Sequence, residues 1–329
     1  MLKFFQLCSI VTVLGFGSLF ANSHPAPGHL EVSADFIYLK PSVDDSYFVI
    51  KSPTGVSLPF FLAGERINND FDFEPGFRVG GAYALCDCNR EFQIYYTRLD
   101  SNQHKLVSGE FLYATTGCAA CAEQFFNYTG TASSKLDCLY QRVDANYAQQ
   151  VFNCCGLDLY VQLGLEYADI HFTETFQYIR TVPETGLPTE GTVHHNLKTW
   201  GVGPQLGFAL DYDLYQCATS YLPGTLSLNI VSSGSLLVGE TKFHLTDRNL
   251  DINNKDTWRV VPALHAKIGL NYETCISCYS TSLEIGYEFN SYFRSLTRVA
   301  APDPNSVVSY NNFNNFDTQG LYVSAIMRF

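Results

Sequence analysis

After its first 23 residues, the sequence contains no run of the roughly 18 to 20 apolar residues that a membrane-spanning helix needs. Charged residues are also scarce, at 16% against roughly 25% in typical soluble domains. The net charge is -12 and no cluster of Lys and Arg appears, which excludes a nucleic-acid partner because such binding requires clustered positive charge. If the chain enters a membrane, it must therefore do so as a closed β-barrel.

The last ten residues, 320–329, alternate strictly between apolar and mixed positions. One parity carries Leu321, Val323, Ala325, Met327 and Phe329. This period of two predicts a strand with one apolar face, and the chain ends on an aromatic residue. Outer-membrane β-barrel chains end in this way, so the terminus favours that architecture over a soluble β-sandwich.

The same alternation recurs along the chain and predicts ten strands. It is clearest at residues 157–167, where Leu157, Leu159, Val161, Leu163, Leu165 and Tyr167 share a face. An even number of strands places both chain ends on the same side of a membrane, as in single-chain bacterial barrels. The count rises to twelve if residues 41–73 contain a further hairpin. The ten segments are 30–38, 77–85, 92–96, 139–147, 157–167, 200–212, 226–230, 258–272, 283–293 and 320–329.

The connections between these segments alternate in length. Short ones lie at 86–89, 152–156, 213–224 and 274–279, and long ones at 41–73, 100–135, 171–196, 240–256 and 295–318. Short periplasmic turns and long extracellular loops are typical of outer-membrane barrels. The alternative, a soluble sandwich, has strands of about 5 to 6 residues, whereas several of these are longer. We therefore predict an all-β, antiparallel transmembrane barrel.

Charged residues on the opposite parity are predicted to line a pore, because a charge facing lipid would be destabilising. Acidic residues outnumber basic ones in this set, which predicts a slight preference for cations. The predicted pore-lining residues are Glu31, Asp35, Arg78, Glu91, Asp158, Glu166, Arg259, Lys267, Glu273, Glu284, Glu288, Arg294 and Arg328.

The amino terminus has the pattern of a secretory signal peptide. Lys3 precedes a mainly apolar stretch at 7–20, and Ala21-Asn22-Ser23 offers a small-residue cleavage site. We expect residues 1–23 to be the signal peptide and residues 24–329 to form a single barrel domain in the bacterial outer membrane.

Three short segments resemble the pore-forming major outer membrane proteins of Legionella and chlamydia-like bacteria: Asp-Phe-Ile-Tyr-Leu-Lys-Pro at 35–41, Pro-Gly-Phe-Arg-Val-Gly at 75–80 and Tyr-Tyr-Thr-Arg-Leu at 95–99. The resemblance implies an abundant porin-type barrel that admits small hydrophilic solutes and is cross-linked by disulfides. Ten strands give a narrower lumen than the 16 to 18 strands of large porins. The alternative is a structural or adhesive surface barrel with a plugged lumen and no transport.

The cysteines group at the predicted connections. Disulfides are expected in an oxidising compartment, either between chains, where they would stiffen the envelope, or within a chain. The spacing of Cys118 to Cys121 and of Cys275 to Cys278 also suits zinc, but these pairs would lie on opposite sides of the membrane. The disulfide candidates are Cys86, Cys88, Cys154, Cys155, Cys217, Cys275 and Cys278 at the periplasmic rim, and Cys118, Cys121 and Cys138 in or beside one outer loop.

No catalytic reaction, metal or cofactor is predicted. Asp44-Asp45 and His194-His195 are residue types that form a general-base constellation in some outer-membrane proteases, but solvated loop residues explain them better. The expected partners are outer-membrane lipid, the barrel assembly machinery that would recognise Phe329 as an assembly signal, and disulfide-linked copies of the chain or other cysteine-rich envelope proteins.

Overall fold

The computed structural model describes residues 29–44, 46–52, 64–85, 89–114, 128–181, 188–217, 224–247, 250–276, 279–300 and 310–329. None of these residues belongs to a helix long and apolar enough to cross a membrane. The signal-peptide prediction falls on residues outside the described part. The strands are β1 Leu30–Val43, β2 Tyr47–Lys51, β3 Glu65–Asn68, β4 Glu74–Ala84, β5 Arg90–Ala114, β6 Tyr128–Cys154, β7 Leu157–Thr181, β8 Pro188–Cys217, β9 Gly224–Asp247, β10 Leu250–Ile276, β11 Tyr279–Ala300 and β12 Tyr310–Arg328.

Ten of these strands form a closed antiparallel ring. The order is β5-β4-β1-β12-β11-β10-β9-β8-β7-β6, and pairing of β5 with β6 closes it. The remaining two, β2 and β3, form a hairpin that pairs with the far end of β5. The predicted ten-stranded barrel is therefore confirmed, and residues 41–73 do contain the extra hairpin, outside the ring.

The register sets the tilt of the strands. A row of paired residues that leaves β10 at Asn271 and passes once around the ring returns to β10 at Arg259, twelve residues away. For ten strands, this stagger corresponds to a tilt of about 40° from the barrel axis. The intermediate members of the row are Glu284, Ser324, Asp35, Arg78, Thr97, Arg142, Ala168, Gly201 and Gly239.

The end of the ring that carries the short connections, the first described residues of β1 and the carboxy-terminal Phe329 is called the inner end, and the other the outer end. Cys155 and Gly156 connect β6 to β7 with φ of 58° and 77°, as a two-residue hairpin turn with both central residues left-handed requires. The terminal strand pairs with β1, and Phe329 exchanges two backbone hydrogen bonds with Leu30. The terminal strand therefore closes the ring against β1.

Over the inner half of the ring, the outward face is apolar and the inward face polar. Leu163 on β7 is 57% exposed, whereas its neighbour Gln162 is 8% exposed. Aromatic pairs border this apolar band: Tyr279 with Phe329 at the inner end, and Trp200 with Trp258 towards the outer end. Such a band flanked by aromatic residues is the lipid-facing surface expected of a transmembrane barrel.

Beyond the outer aromatic residues, the polarity of the wall inverts. On β7 the inward residues become Ile170, Phe172 and Phe176, all fully or nearly fully buried, while the outward ones become His171 and Thr173. In four of the five segments predicted as long outer connections, every described residue belongs to a strand. Because their outer face meets water instead of lipid, their interior packs as a hydrophobic core, as in a soluble protein.

Candidate functional site

A cavity of 290 Å³ lies inside the inner half of the ring. Polar and charged side chains from all ten strands of the ring line it. Eight of the thirteen predicted pore-lining residues contribute, namely Glu31, Asp35, Arg78, Glu91, Lys267, Glu284, Glu288 and Arg328. That they line a conducting pore remains a prediction.

One arginine bridges three strands across the outer end of the cavity. Arg78 on β4 bonds Asp35 on β1 at 3.1 Å and Glu288 on β11 at 2.8 Å. Its Nε also donates to Thr97 Oγ1 at 3.0 Å. The charges are nearly buried, with Arg78 13% exposed and both carboxylates 4% or less. Each charge therefore needs its oppositely charged partner to offset the cost of desolvation.

A second buried cluster surrounds Glu166 on β7. Its carboxylate lies 2.9 Å from His265 Nε2 and 3.6 Å from Arg142 Nε, and the Tyr292 hydroxyl donates to it at 2.8 Å. Arg142 also bonds Asp144 at 2.6 Å. Together with the Arg78 bridge, this cluster forms a charged layer across the lumen, called the charged girdle below.

Three further ion pairs complete the wall. Lys267 bonds Glu284 at 3.3 Å and lies 4.1 Å from the centre of the Tyr322 ring. At the inner mouth, Arg328 bonds Glu31 at 2.8 Å and Glu273 at 2.9 Å. Every arginine and lysine that lines the cavity is therefore already bonded to a carboxylate.

Several members of the girdle were missed from the sequence. Arg142 and Asp144 lie on β6, within the predicted segment 139–147, but neither is among the predicted pore-lining residues. His265 lines the cavity from β10, within the predicted segment 258–272, and is also absent from that set. Val143 and Ala145 face outward and alternate with Arg142 and Asp144. This alternation is the signal that would have placed Arg142 and Asp144 on the inward face.

Three other predicted pore-lining residues, Asp158, Arg259 and Arg294, lie away from the cavity. Asp158 accepts a hydrogen bond from Gln150 near the inner end. Arg259 and Arg294 both stack on the ring of Phe313, at 4.3 and 4.8 Å, in the outer part of the barrel. Arg294 is exposed at a bulge with φ of 55°, because β11 departs there from its regular alternation. Neither arginine lines the cavity.

Two segments fold into the outer half of the ring and close it; they are called the inserted segments. The first consists of residues 46–49 and 69–71, in which Phe48 stacks on Phe176 and Phe71 packs edge-on against Phe172. The Tyr178 hydroxyl donates to the carbonyl of Phe48 at 2.7 Å. These contacts place loop residues between the walls.

The second inserted segment is residues 295–297 of β11. All three residues are buried, which breaks the period of two expected of a strand in the wall. Thr199 on β8 donates to the carbonyl of Ser295 at 2.6 Å, although two other strands separate β8 from β11 in the ring. The outer closure therefore comes from inserted backbone as well as from side chains of the wall.

The cysteines divide into two environments. Cys154 and Cys155 are exposed in the inner turn, with Sγ atoms 3.0 Å apart and no bond between them; their hydrogen bond raises the pKa of the Cys154 thiol. Cys138 was predicted beside an outer loop, but β6 continues through it and it is buried in the outer core. Burial raises the pKa of this thiol, which lowers its reactivity; a disulfide at Cys138 stays a prediction.

Cys275 lies near the inner end of β10 and is half-buried. Cys217 ends β8. Cys86, Cys88, Cys118, Cys121 and Cys278 fall outside the described residues.

The candidate general-base residues are not brought together as a catalytic pair. His194 faces outward and bonds Thr175 Oγ1 at 3.0 Å, while His195 is buried beside Glu174 at 3.1 Å. The carbonyl of Asp44 accepts a hydrogen bond from Asn314, and Asp45 lies outside the described residues.

Comparison with known proteins gives one family match. The family described as Legionella pneumophila major outer membrane protein precursor matches residues 25–329. No curated protein matches.

Solved structures with similar folds are also found. The outer membrane protease OmpT from Escherichia coli is 10% identical, with a TM-score of 0.49, and the match covers 92% of this chain and 97% of that one. The Ralstonia pickettii toluene transporter TbuX is 12% identical, with a TM-score of 0.31 and coverage of 92% and 89%. The P. putida toluene transporter TodX is 9% identical, with a TM-score of 0.29 and the same coverage.

Proposed function

Because the chain belongs to the family of the Legionella pneumophila major outer membrane protein precursor, and is thus an outer-membrane β-barrel, we propose that it is a porin-type channel for small hydrophilic solutes. The observation that carries this proposal is the charged cavity within the lipid-embedded part of the ring. A barrel that only anchored a surface domain could fill this space with apolar side chains, which would avoid the desolvation of buried charges.

The channel of this proposal is gated. The inserted segments and the charged girdle close the outer side of the cavity, so conduction requires the inserted segments to move. Across the lumen, Tyr178 holds Phe48 and Thr199 holds Ser295. The first inserted segment can leave the lumen without breaking the ring, because β2 and β3 are not among its ten strands. Residues 296–297 stay paired with β12, so the second inserted segment moves only locally.

The lining charge supports a preference for cations. Seven carboxylates face the cavity against three arginines and one lysine. Rings of carboxylates favour cations in a narrow pore.

Planar-bilayer recording of the refolded protein tests the proposal. We expect small, infrequent, cation-selective openings from the wild type, and more frequent ones from Thr199→Val and Tyr178→Phe, which release the inserted segments. Thr131→Val, an outward-facing change on β6 at a similar height, is the matched control and should leave the open fraction unchanged. Anion selectivity would contradict the proposed preference for cations. Equal open fractions in all four proteins would contradict the gating scheme.

A second candidate is a structural or adhesive surface barrel with a permanently closed lumen. The apolar packing of the outer half favours it, because buried Phe172, Phe176 and Phe243 resemble the core of a soluble protein. Replacement of residues 44–73 by a short turn separates the two candidates. Continued absence of conductance in this variant, with the outer hairpins still accessible to surface protease, would support the structural role.

We also propose that cysteines at the inner end form disulfides between chains in the periplasm. The exposure of Cys154 and Cys155 supports this, since thiols accessible to solvent in an oxidising compartment are oxidised readily. Electrophoresis of envelopes without reductant should then show multimers that collapse to monomers with reductant. The double variant Cys154→Ser/Cys155→Ser should lose most of them, whereas Cys138→Ser should not. A monomer in both conditions would reject the cross-linking.

A further inference from the structure

The wall of the cavity contains hydrogen-bond acceptors that no described residue satisfies. They are Asn146 Oδ1, Gln205 Oε1, Asp211 Oδ1 and Asn271 Oδ1, and all four residues line the cavity. Gln205 is 4% exposed and Asn271 is 7% exposed. A buried acceptor without a donor is destabilising by about 1 to 3 kcal/mol, so an occupant of the cavity that carries donors is favoured once a small rotation of these side chains turns the oxygens to the cavity surface.

The orientation of one of these amides is fixed by its neighbours. Gln205 Nε2 donates to Ser233 Oγ at 3.1 Å and to Asp144 Oδ1 at 3.3 Å. Because an ionised carboxylate only accepts hydrogen bonds, the nitrogen of this amide must face Asp144. The amide oxygen, Gln205 Oε1, is therefore the atom that receives no hydrogen bond.

Some carboxylates around the cavity also lack an ion-pair partner. Asp35, Asp144, Glu284, Glu288 and Glu31 are each bonded to an arginine or lysine. In the described part of the chain, the lining carboxylates of Glu91 and Asp211 form no ion pair. Asp211 is also directly opposite Asp158 across the β7–β8 pair, where two like charges repel each other.

We propose that this cavity is a binding site for a small organic cation that carries N–H donors, such as an alkylammonium or a guanidinium compound. The N–H groups would satisfy the unpartnered oxygens, and the positive charge would neutralise Glu91 and Asp211. The volume of 290 Å³ equals the liquid volume of roughly ten water molecules, which is enough for a ligand of several heavy atoms.

Access is from the periplasm. The mouth of the cavity is formed by Arg328 and Glu273, whose side chains are 26% and 35% exposed. The ligand therefore reaches the site without any movement of the inserted segments. The site goes beyond the proposed channel, because binding does not depend on whether the lumen ever opens to the outside.

Isothermal titration of the detergent-refolded protein with 1,4-diaminobutane tests the site. Saturable binding should weaken about tenfold or more in Glu91→Gln and in Asp211→Asn, since each removes a charged acceptor and keeps the shape of the side chain. Glu65→Gln, on exposed β3, is the matched control and should bind as the wild type does. Resistance to SDS without heating shows that each variant is folded.

Two other probes define the chemistry. Tetramethylammonium carries the charge without N–H donors and should bind at least tenfold more weakly, and succinate should not bind. Equal binding of tetramethylammonium, full competition by equimolar KCl, or unchanged binding in both variants would overturn the proposal. Binding without conductance would reject only the channel, and conductance without binding would reject only this site.

Discussion

The inversion of wall polarity along β7 predicts opposite effects of the same substitution at two outward positions. Leu163 and Thr173 lie on one strand and one parity, ten residues apart. Leu163 is at the middle of the lipid-facing run and is 57% exposed to what would be hydrocarbon. Thr173 lies beyond the outer aromatic residues, between Asp137 on β6 and Asn196 on β8.

Leu163→Arg should reduce the free energy of unfolding by about 2 to 4 kcal/mol, the value for a basic residue at the bilayer midplane. The folding equilibrium constant then falls roughly 30-fold to 1000-fold. Thr173→Arg should be within about 0.5 kcal/mol of the wild type, because the guanidinium meets water and faces Asp137.

Equilibrium unfolding in urea, with the protein refolded into phospholipid vesicles, measures both variants. Gln162→Arg provides a third comparison, since its side chain enters the polar cavity, and it should also be nearly neutral. If Thr173→Arg is as destabilised as Leu163→Arg, the outer half of β7 lies in lipid and the inversion is wrong. If both are neutral, the assignment of the lipid-facing band fails.

Two further substitutions and one deletion probe the outer core, the charged girdle and the carboxy-terminal residue. Phe176→Ala should destabilise the barrel by about 3 to 5 kcal/mol because it empties space in the packed outer core; a loss below 1 kcal/mol in urea unfolding would show a loosely packed interior. Arg78→Gln should cost about 3 kcal/mol, since two buried carboxylates lose their partner, and lowering the pH should restore part of this loss. Deletion of Phe329 should reduce insertion by the assembly machinery in cells while leaving the conductance of refolded protein unchanged; normal insertion would remove its role as an assembly signal.

The strand number, the closure of the ring and the lipid-facing parity could be predicted because each depends on local alternation. Residues 157–167 carry the period of two without interruption, and the terminal strand carries it to Phe329. The predicted strands are too short on the outer side, and the reason is physical. Polar residues such as His171 and Thr173 suggested a loop, although Ile170 and Phe172 continue the alternation on the opposite parity.

The partners inside the lumen could not be predicted from spacing. Arg78 meets Glu288, 210 positions away, and Glu166 meets His265, 99 positions away. Which inward residues face one another across a barrel depends on the stagger of the whole ring, and no single strand reveals this stagger. The inserted segments are hidden for a similar reason, because consecutive buried residues such as Ser295 and Leu296 follow no period.

The packing of the inserted segments sets how often the proposed channel opens. Phe48 and Phe71 are fully or nearly fully buried, and exposure of each ring costs about 1.5 to 3 kcal/mol. Displacement of the first inserted segment therefore costs roughly 3 to 6 kcal/mol, so the closed state exceeds the open state roughly a hundredfold to ten-thousandfold. Phe48→Ala removes about half of this difference and should raise the open fraction roughly tenfold or more in single-channel recordings. A wild-type channel that stays open most of the time would show that these rings do not hold the lumen closed.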